Sequence, residues 1–167
     1  IGIEIVNLGY ADADAQLPLT ERHWQAYTPG QIRTLALLLR QLVDRYQLPP
    51  TRLLGHSDIA TGRKVDPGPR FPWQQLHAQY GLGAWPDEAR VSALLAMPGP
   101  MPSISEIQNL LIRYGYGLAA TGILDTQTRQ TVQAFQLHFR PARYDGLPDR
   151  ETVARLQALL EKYPSGN

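Results

Sequence analysis

The stretch Gly122-Ile-Leu-Asp125-Thr-Gln-Thr128 returns 24 residues later as Gly146-Leu-Pro-Asp149-Arg-Glu-Thr152. Each copy offers a glycine for a turn, an aspartate as helix N-cap, and then an apolar pattern at helical spacing. The first predicted helix carries Val132, Phe135 and Leu137, and the second carries Val153, Leu156, Leu159 and Leu160. Ahead of both, Ser103-Ile-Ser-Glu106 forms a capping box opening a third such segment. Three short amphipathic helices make a small bundle, and two copies are too few for a solenoid. Residues 98–102, Pro-Gly-Pro-Met-Pro, cannot continue a helix and mark a domain boundary.

The first half has a different grammar. Ile1-Gly-Ile-Glu4-Ile-Val-Asn7 alternates, with Ile1, Ile3 and Ile5 on one face and Gly2, Glu4 and Val6 on the other, the period of a strand. A strand at the very first residue, without Met or leader, predicts a chain that is cut or lacks its true N-terminus. A polar loop follows. A helix is then predicted from Thr28 (N-cap), Pro29 (first turn) and Gln31 (capping box), with Ile32, Leu35, Leu38, Leu39, Leu42, Val43 and Tyr46 on one face, stopped by Pro49-Pro50. Arg52-Leu-Leu-Gly-His56 reads as a short buried strand delivering His56 at its end. Short helices are expected in 71–81 and in 86–97.

Composition narrows the partners. At 167 residues and 43% hydrophobic, the chain can bury one core, or one core and a small second one. A formal net charge of +1 gives no electrostatic case for nucleic acid, and no apolar run approaches the length of a transmembrane segment. With no cysteine, any metal site must use histidine and carboxylate.

Such a pair stands in the Gly/Pro-rich loop Gly55-His-Ser-Asp-Ile-Ala-Thr-Gly-Arg-Lys-Val-Asp-Pro-Gly68. His56 and Asp66 are both good zinc ligands, and the loop is long enough to bring them onto one ion. Lys64 could place a positive charge on a developing oxyanion, and Glu4, on the polar side of the first strand, could move a proton. The ordinary readings are also available: a hydrogen-bonded structural His56, a turn residue at Asp66, surface charges at Lys64 and Glu4. His23 and His77 read as surface residues and His138 as a residue without chemistry. Spacing alone leaves the choice open.

The segment 55–71 closely resembles the zinc-ligand segment of the amidase-2 family of N-acetylmuramoyl-L-alanine amidases, relatives of phage T7 lysozyme and peptidoglycan recognition proteins. Ile1–Asn7 resembles the family strand that carries a catalytic Glu, and Tyr27–Leu42 its main helix. Residues 103–167 are similar, through the segments 107–117, 121–136 and 145–160, to the three-helix peptidoglycan-binding module of bacterial wall hydrolases, with Gly122, Asp125, Thr128, Val132, Phe135 and Gln136 matching its central pattern and Thr131 departing from it.

The resemblance implies a fold and a role. Residues 1–85 would be the C-terminal portion of an α/β amidase domain, a mixed β-sheet flanked by helices; 86–102 a linker; 103–167 an all-α three-helix module. Zn²⁺ would be held by His56 and Asp66, with the third ligand a His upstream of Ile1; Glu4 would be the acid/base residue and Lys64 the transition-state stabiliser. The expected partners are peptidoglycan or muropeptide substrate and the missing N-terminal segment of the same protein, with no nucleic acid and no transmembrane segment. The location implied is the bacterial envelope, periplasmic, with outer-membrane lipoprotein anchoring left open. A non-catalytic peptidoglycan-recognition protein is the rival from another class.

Overall fold

The computed structural model describes residues 1–164; the last three positions of the expected 103–167 module, 165–167, lie outside the described residues. The chain forms α1 (Pro29–Tyr46), α2 (His56–Ile59), α3 (Trp73–Tyr80), α4 (Glu88–Ala96), α5 (Ile104–Tyr114), α6 (Thr126–Phe139) and α7 (Arg150–Lys162). Short 3₁₀ turns lie at Asp12–Asp14, Leu19–Glu21 and Pro50–Arg52.

The expected mixed β-sheet is not there. Among the described residues the only β pairing is an isolated antiparallel bridge between Tyr10 and Trp24. Residues 1–9 keep the alternation of a strand: Ile3 and Ile5 pack against the core, while Glu4 is exposed and Val6 is 90% exposed. Ile1, assigned to the inner face, is 84% exposed. A strand needs a neighbour along its length to satisfy its amides and carbonyls, and among the described residues no ladder forms beside this one beyond the Tyr10–Trp24 bridge. Side chains serve instead: the Gln31 amide donates to Val6 O at 2.6 Å, and Leu8 N–H donates to Gln25 Oε1 at 2.8 Å. The buried strand expected at 52–56 fails for the same reason. Leu54 is 44% exposed, and His56 opens a helix rather than ending a strand.

The helices follow their local signals. Thr28 and Gln31 form the predicted capping box, with Pro29 in the first turn, and Gln47 in the left-handed region (φ 51°) ends α1 before Pro49-Pro50. The buried stripe of α1 is Ile32, Leu35, Ala36 and Leu39, whereas Leu38 is 41% and Tyr46 50% exposed. Only the side of α1 that faces α3 and the core is covered, so the apolar face predicted from spacing is wider than the one buried.

The repeated turns are clamped from within. Gln108 on α5 accepts from Gly122 N–H at 2.8 Å and donates to Thr128 Oγ1 at 2.7 Å. Gln136 on α6 accepts from Gly146 N–H at 2.8 Å and donates to Thr152 Oγ1 at 3.1 Å. Both glutamines are fully buried, and both aspartates, Asp125 and Asp149, cap the helix that follows. Gly146 needs its glycine twice over: φ is 74°, and a Cβ would meet Arg129 O at 2.7 Å.

One hydrophobic cluster runs from Ile32 and Leu39 through Phe71, Trp73 and Leu76 to Leu111, Phe135, Phe139, Leu156 and Leu159. Each such side chain contributes roughly 1.5–3 kcal/mol of burial. α6 lies at its centre, with α2 and α3 packed on it. Helix α4 docks on α7 through Val91, Ala154 and Ala158 and a two-pronged Arg90–Glu161 ion pair at 2.6 and 2.9 Å. The Arg150 guanidinium holds Met97 O and Gly99 O, each at 2.6 Å, pinning the proline-rich stretch to α7.

Candidate active site

Helix α2 is a single turn between Gly55 and Ala60. It exists because Asp58, three residues on, reaches back to accept from Gly55 N–H at 2.9 Å, which ties off the first turn. The following loop folds back on it. Ser57 N–H donates to Asp66 O at 2.9 Å. Tyr27 O–H donates to Pro67 O at 3.1 Å. Gly68, at φ 79°, lies so close to Trp24 that a Cβ would stand 2.6 Å from its ring. Burial, and secondarily the Asp66 carboxylate, pushes the Tyr27 phenol above its ordinary value.

These devices bring His56 and Asp66 together: Nδ1 lies 2.5 Å from Oδ2. Both side chains face solvent, 40% and 52% exposed, so the pair is reachable. The two side chains hydrogen-bond each other directly, and an imidazole and a carboxylate are both of the ligand types that zinc takes. They are two donors where a catalytic zinc uses three, and no cluster of three histidine or carboxylate groups that could hold a metal occurs among the described residues.

Glu4 and Lys64 are not drawn into that pair. Both are exposed, and among the described residues no hydrogen bond or ion pair joins either side chain to His56, to Asp66 or to the other. Lys64 borders a hollow of about 220 Å³ with Leu19, Gly62, Gln130 and Gln133. His23 is on the surface, 88% exposed and paired with Asp14. His77 is half-buried, bonded through Nδ1 to Gly83 O at 2.9 Å.

The sequence reading passed over a buried polar cluster behind α2. Asp58, Tyr116 and His138 are all buried, and Asp58 joins the other two. A signal was present: His138 is a lone imidazole in the run Ala134-Phe-Gln-Leu-His-Phe139 on a helix already expected to be core, where a polar group needs a partner.

A wide groove of about 930 Å³ opens where the first and second halves meet, lined by Arg22, Trp24, Arg70, Arg143 and Tyr144 among others. Its arginines are largely engaged already: Arg143 with Asp145 and Asp149, Arg22 with Leu17 O and Ala15 O.

Comparison with known proteins places the two halves. Residues 1–69 match the N-acetylmuramoyl-L-alanine amidase family, and residues 100–156 match a peptidoglycan binding domain family. N-acetylmuramoyl-L-alanine amidase AmiD of Escherichia coli (strain K12) is 42% identical over 165 residues, 98% of this chain and 57% of that protein. The structure of Escherichia coli AmiD in complex with the substrate anhydro-N-acetylmuramic acid-L-Ala-D-gamma-Glu-L-Lys superposes with a TM-score of 0.82 at 40% identity, over 96% of this chain and 60% of that one. The crystal structure of AmpDh3 from Pseudomonas aeruginosa also gives a TM-score of 0.82 at 40% identity, over 98% of this chain and 62% of that one. The chain therefore spans somewhat under two thirds of the length of these relatives.

Proposed function

We propose that the protein is a zinc-dependent amidase of the bacterial envelope, a reading supported by the match of residues 1–69 to the N-acetylmuramoyl-L-alanine amidase family and of residues 100–156 to a peptidoglycan binding domain family. Its reaction is hydrolysis of the amide between N-acetylmuramic acid and L-alanine in peptidoglycan or muropeptides. The observation that carries this reading is that His56 and Asp66, ten residues apart, lie side by side, Nδ1 to Oδ2 at 2.5 Å and open to solvent, inside the segment that matches the family. AmiD, 42% identical, has been solved with a muropeptide of that bond type.

His56 and Asp66 are the residues that would hold zinc. A bound zinc supplies an activated water at neutral pH and polarisation of the carbonyl. Lys64, an exposed cation without an ion-pair partner among the described residues, would donate to the oxygen on which negative charge develops. Glu4 would take a proton from the attacking water and return it to the departing L-alanine amine, so that the amide C–N bond breaks as the new C–O bond forms. The helical segment 103–162 would hold the enzyme against the wall and raise its local concentration there.

Metal content tests the assignment. The full-length protein should carry one zinc per chain, lost in His56→Ala and in Asp66→Ala. Equal zinc in wild type and both variants would remove the ligand roles.

A further inference from the structure

Asp58 stands two residues past His56 on α2 and is 9% exposed. Its carboxyl oxygens accept from three donors: Gly55 N–H at 2.9 Å, Tyr116 O–H at 2.6 Å and His138 Nδ1–H at 2.7 Å. The first closes α2. The other two come from the segment that matches the peptidoglycan binding domain, Tyr116 from just beyond α5 and His138 from α6.

His138 is 1% exposed, with its ring stacked on Trp73 at 3.9 Å and 19°, and beside Phe139 at 3.9 Å and 7°. Its Nε2 is buried with no partner. An imidazole held in this way has a single polar attachment, Asp58. The Tyr116 phenol is buried; desolvation first, and the neighbouring Asp58 second, push it well above its ordinary value. If Asp58 moved, it would strand a phenol and an imidazole away from water with their hydrogen bonds unmade. The position of α2 is therefore set from the second half of the chain.

That position reaches the candidate metal pair directly. His56 is the first residue of α2. Ser57 N–H holds Asp66 O, and Gly55 lies against Pro67 so closely that a Cβ would come within 2.6 Å of Pro67 Cδ. Moving α2 moves both donors.

We propose that Tyr116 and His138 are positioning residues for the His56–Asp66 pair, acting through Asp58, so that the peptidoglycan-binding segment completes the geometry of the hydrolytic site as well as tethering it. The inference rests on the reading of His56 and Asp66 as zinc ligands.

The test compares full-length wild type, Tyr116→Phe, His138→Gln and His138→Asn by melting curve, zinc affinity in chelator competition, and the absorption spectrum of the cobalt-substituted protein. Asn can place a donor near the position of Nδ1; Gln cannot. Tyr116→Phe and His138→Gln are expected to bind zinc roughly 10–100-fold more weakly, the span for residues that orient metal ligands. Their cobalt spectra should change and kcat should fall with KM little altered, while His138→Asn recovers most of the affinity. Folded variants with wild-type zinc affinity and cobalt spectrum would overturn the inference and leave the zinc amidase standing. A wild-type protein that binds neither metal would overturn the zinc reading and this inference with it. Should His138→Gln fail to fold, Tyr116→Phe, which removes one oxygen atom, decides the matter.

Discussion

Gly55 and Pro67 touch with no room for a side chain between them: a Cβ on Gly55 would meet Pro67 Cδ at 2.6 Å and Asp66 O at 3.5 Å. The backbone of Gly55 is ordinary, with φ −86° and ψ 163°, so the demand for glycine is steric and not conformational. The contact joins the neighbours of the two candidate zinc donors, since Gly55 precedes His56 and Pro67 follows Asp66.

Gly55→Ala should therefore force the loop off α2. The ring carbon it would strike is tied to the backbone and cannot swing aside. Overpacking of this kind costs about 1–3 kcal/mol, visible as a lowered melting temperature. The account expects a folded protein whose zinc affinity falls. Unchanged zinc affinity in a destabilised variant would mean that the contact serves stability alone.

The repeated turns were legible because they are local. Asp125, Asp149, Ser103 and Thr28 each cap the helix that the residue pattern placed after them. For the loop of His56 and Asp66, spacing left structural and metal-binding readings open, and only its resemblance to the amidase-2 segment singled out the zinc reading. Two things were not legible. The alternation of residues 1–7 is a statement about which side chains face inward, and Ile3 and Ile5 do face inward, but a strand also needs a hydrogen-bonded neighbour, which no pattern within one segment can supply. The Asp58–His138 bond joins residues 80 positions apart; nothing in either local sequence specifies the other.

The two glutamine clamps should be costly to lose. Gln136→Leu keeps the volume but leaves the buried Gly146 N–H without its partner, while Leu147 is exposed and Thr152 Oγ1 keeps Arg140 and Asp149. A buried group left unpaired costs about 1–3 kcal/mol. A denaturant titration should show a loss in that range or above it. A loss under about 0.5 kcal/mol, the scatter of surface changes, would mean that water reaches the turn.

Acid should weaken the second half through its capping aspartates. Burial alone would raise the Asp149 carboxyl, but Thr152 N–H and the Arg140 guanidinium outweigh it and hold the group below its ordinary value. A depressed carboxylate stabilises the fold above its unfolded value, near 4, and that contribution disappears as pH falls through the folded value. Asp149→Asn keeps an acceptor for the cap but removes the charge. The stability gap between wild type and Asp149→Asn should be open at neutral pH and close below about pH 4. A gap independent of pH would assign the effect to the cap alone.

Glu4 and Lys64 separate chemistry from structure because both are exposed. Glu4→Gln and Lys64→Ala should leave the melting curve and zinc content unchanged. Turnover should fall by roughly 10²–10⁴ in Glu4→Gln, the span for general acid–base catalysis, and by on the order of 10² in Lys64→Ala, with kcat more affected than KM. A rise in KM alone for Lys64→Ala would make it a substrate-binding residue.

The central claim is that the His56–Asp66 pair belongs to an enzyme that cuts the bond between muramic acid and L-alanine. The direct measurement is mass spectrometry of a defined muropeptide incubated with full-length protein. The account predicts free stem peptide beginning at L-alanine together with the intact muramyl sugar, in amounts that grow with time, are suppressed by a zinc chelator, and vanish in His56→Ala. No stem peptide from a folded, zinc-loaded protein, or equal release from His56→Ala, would contradict it.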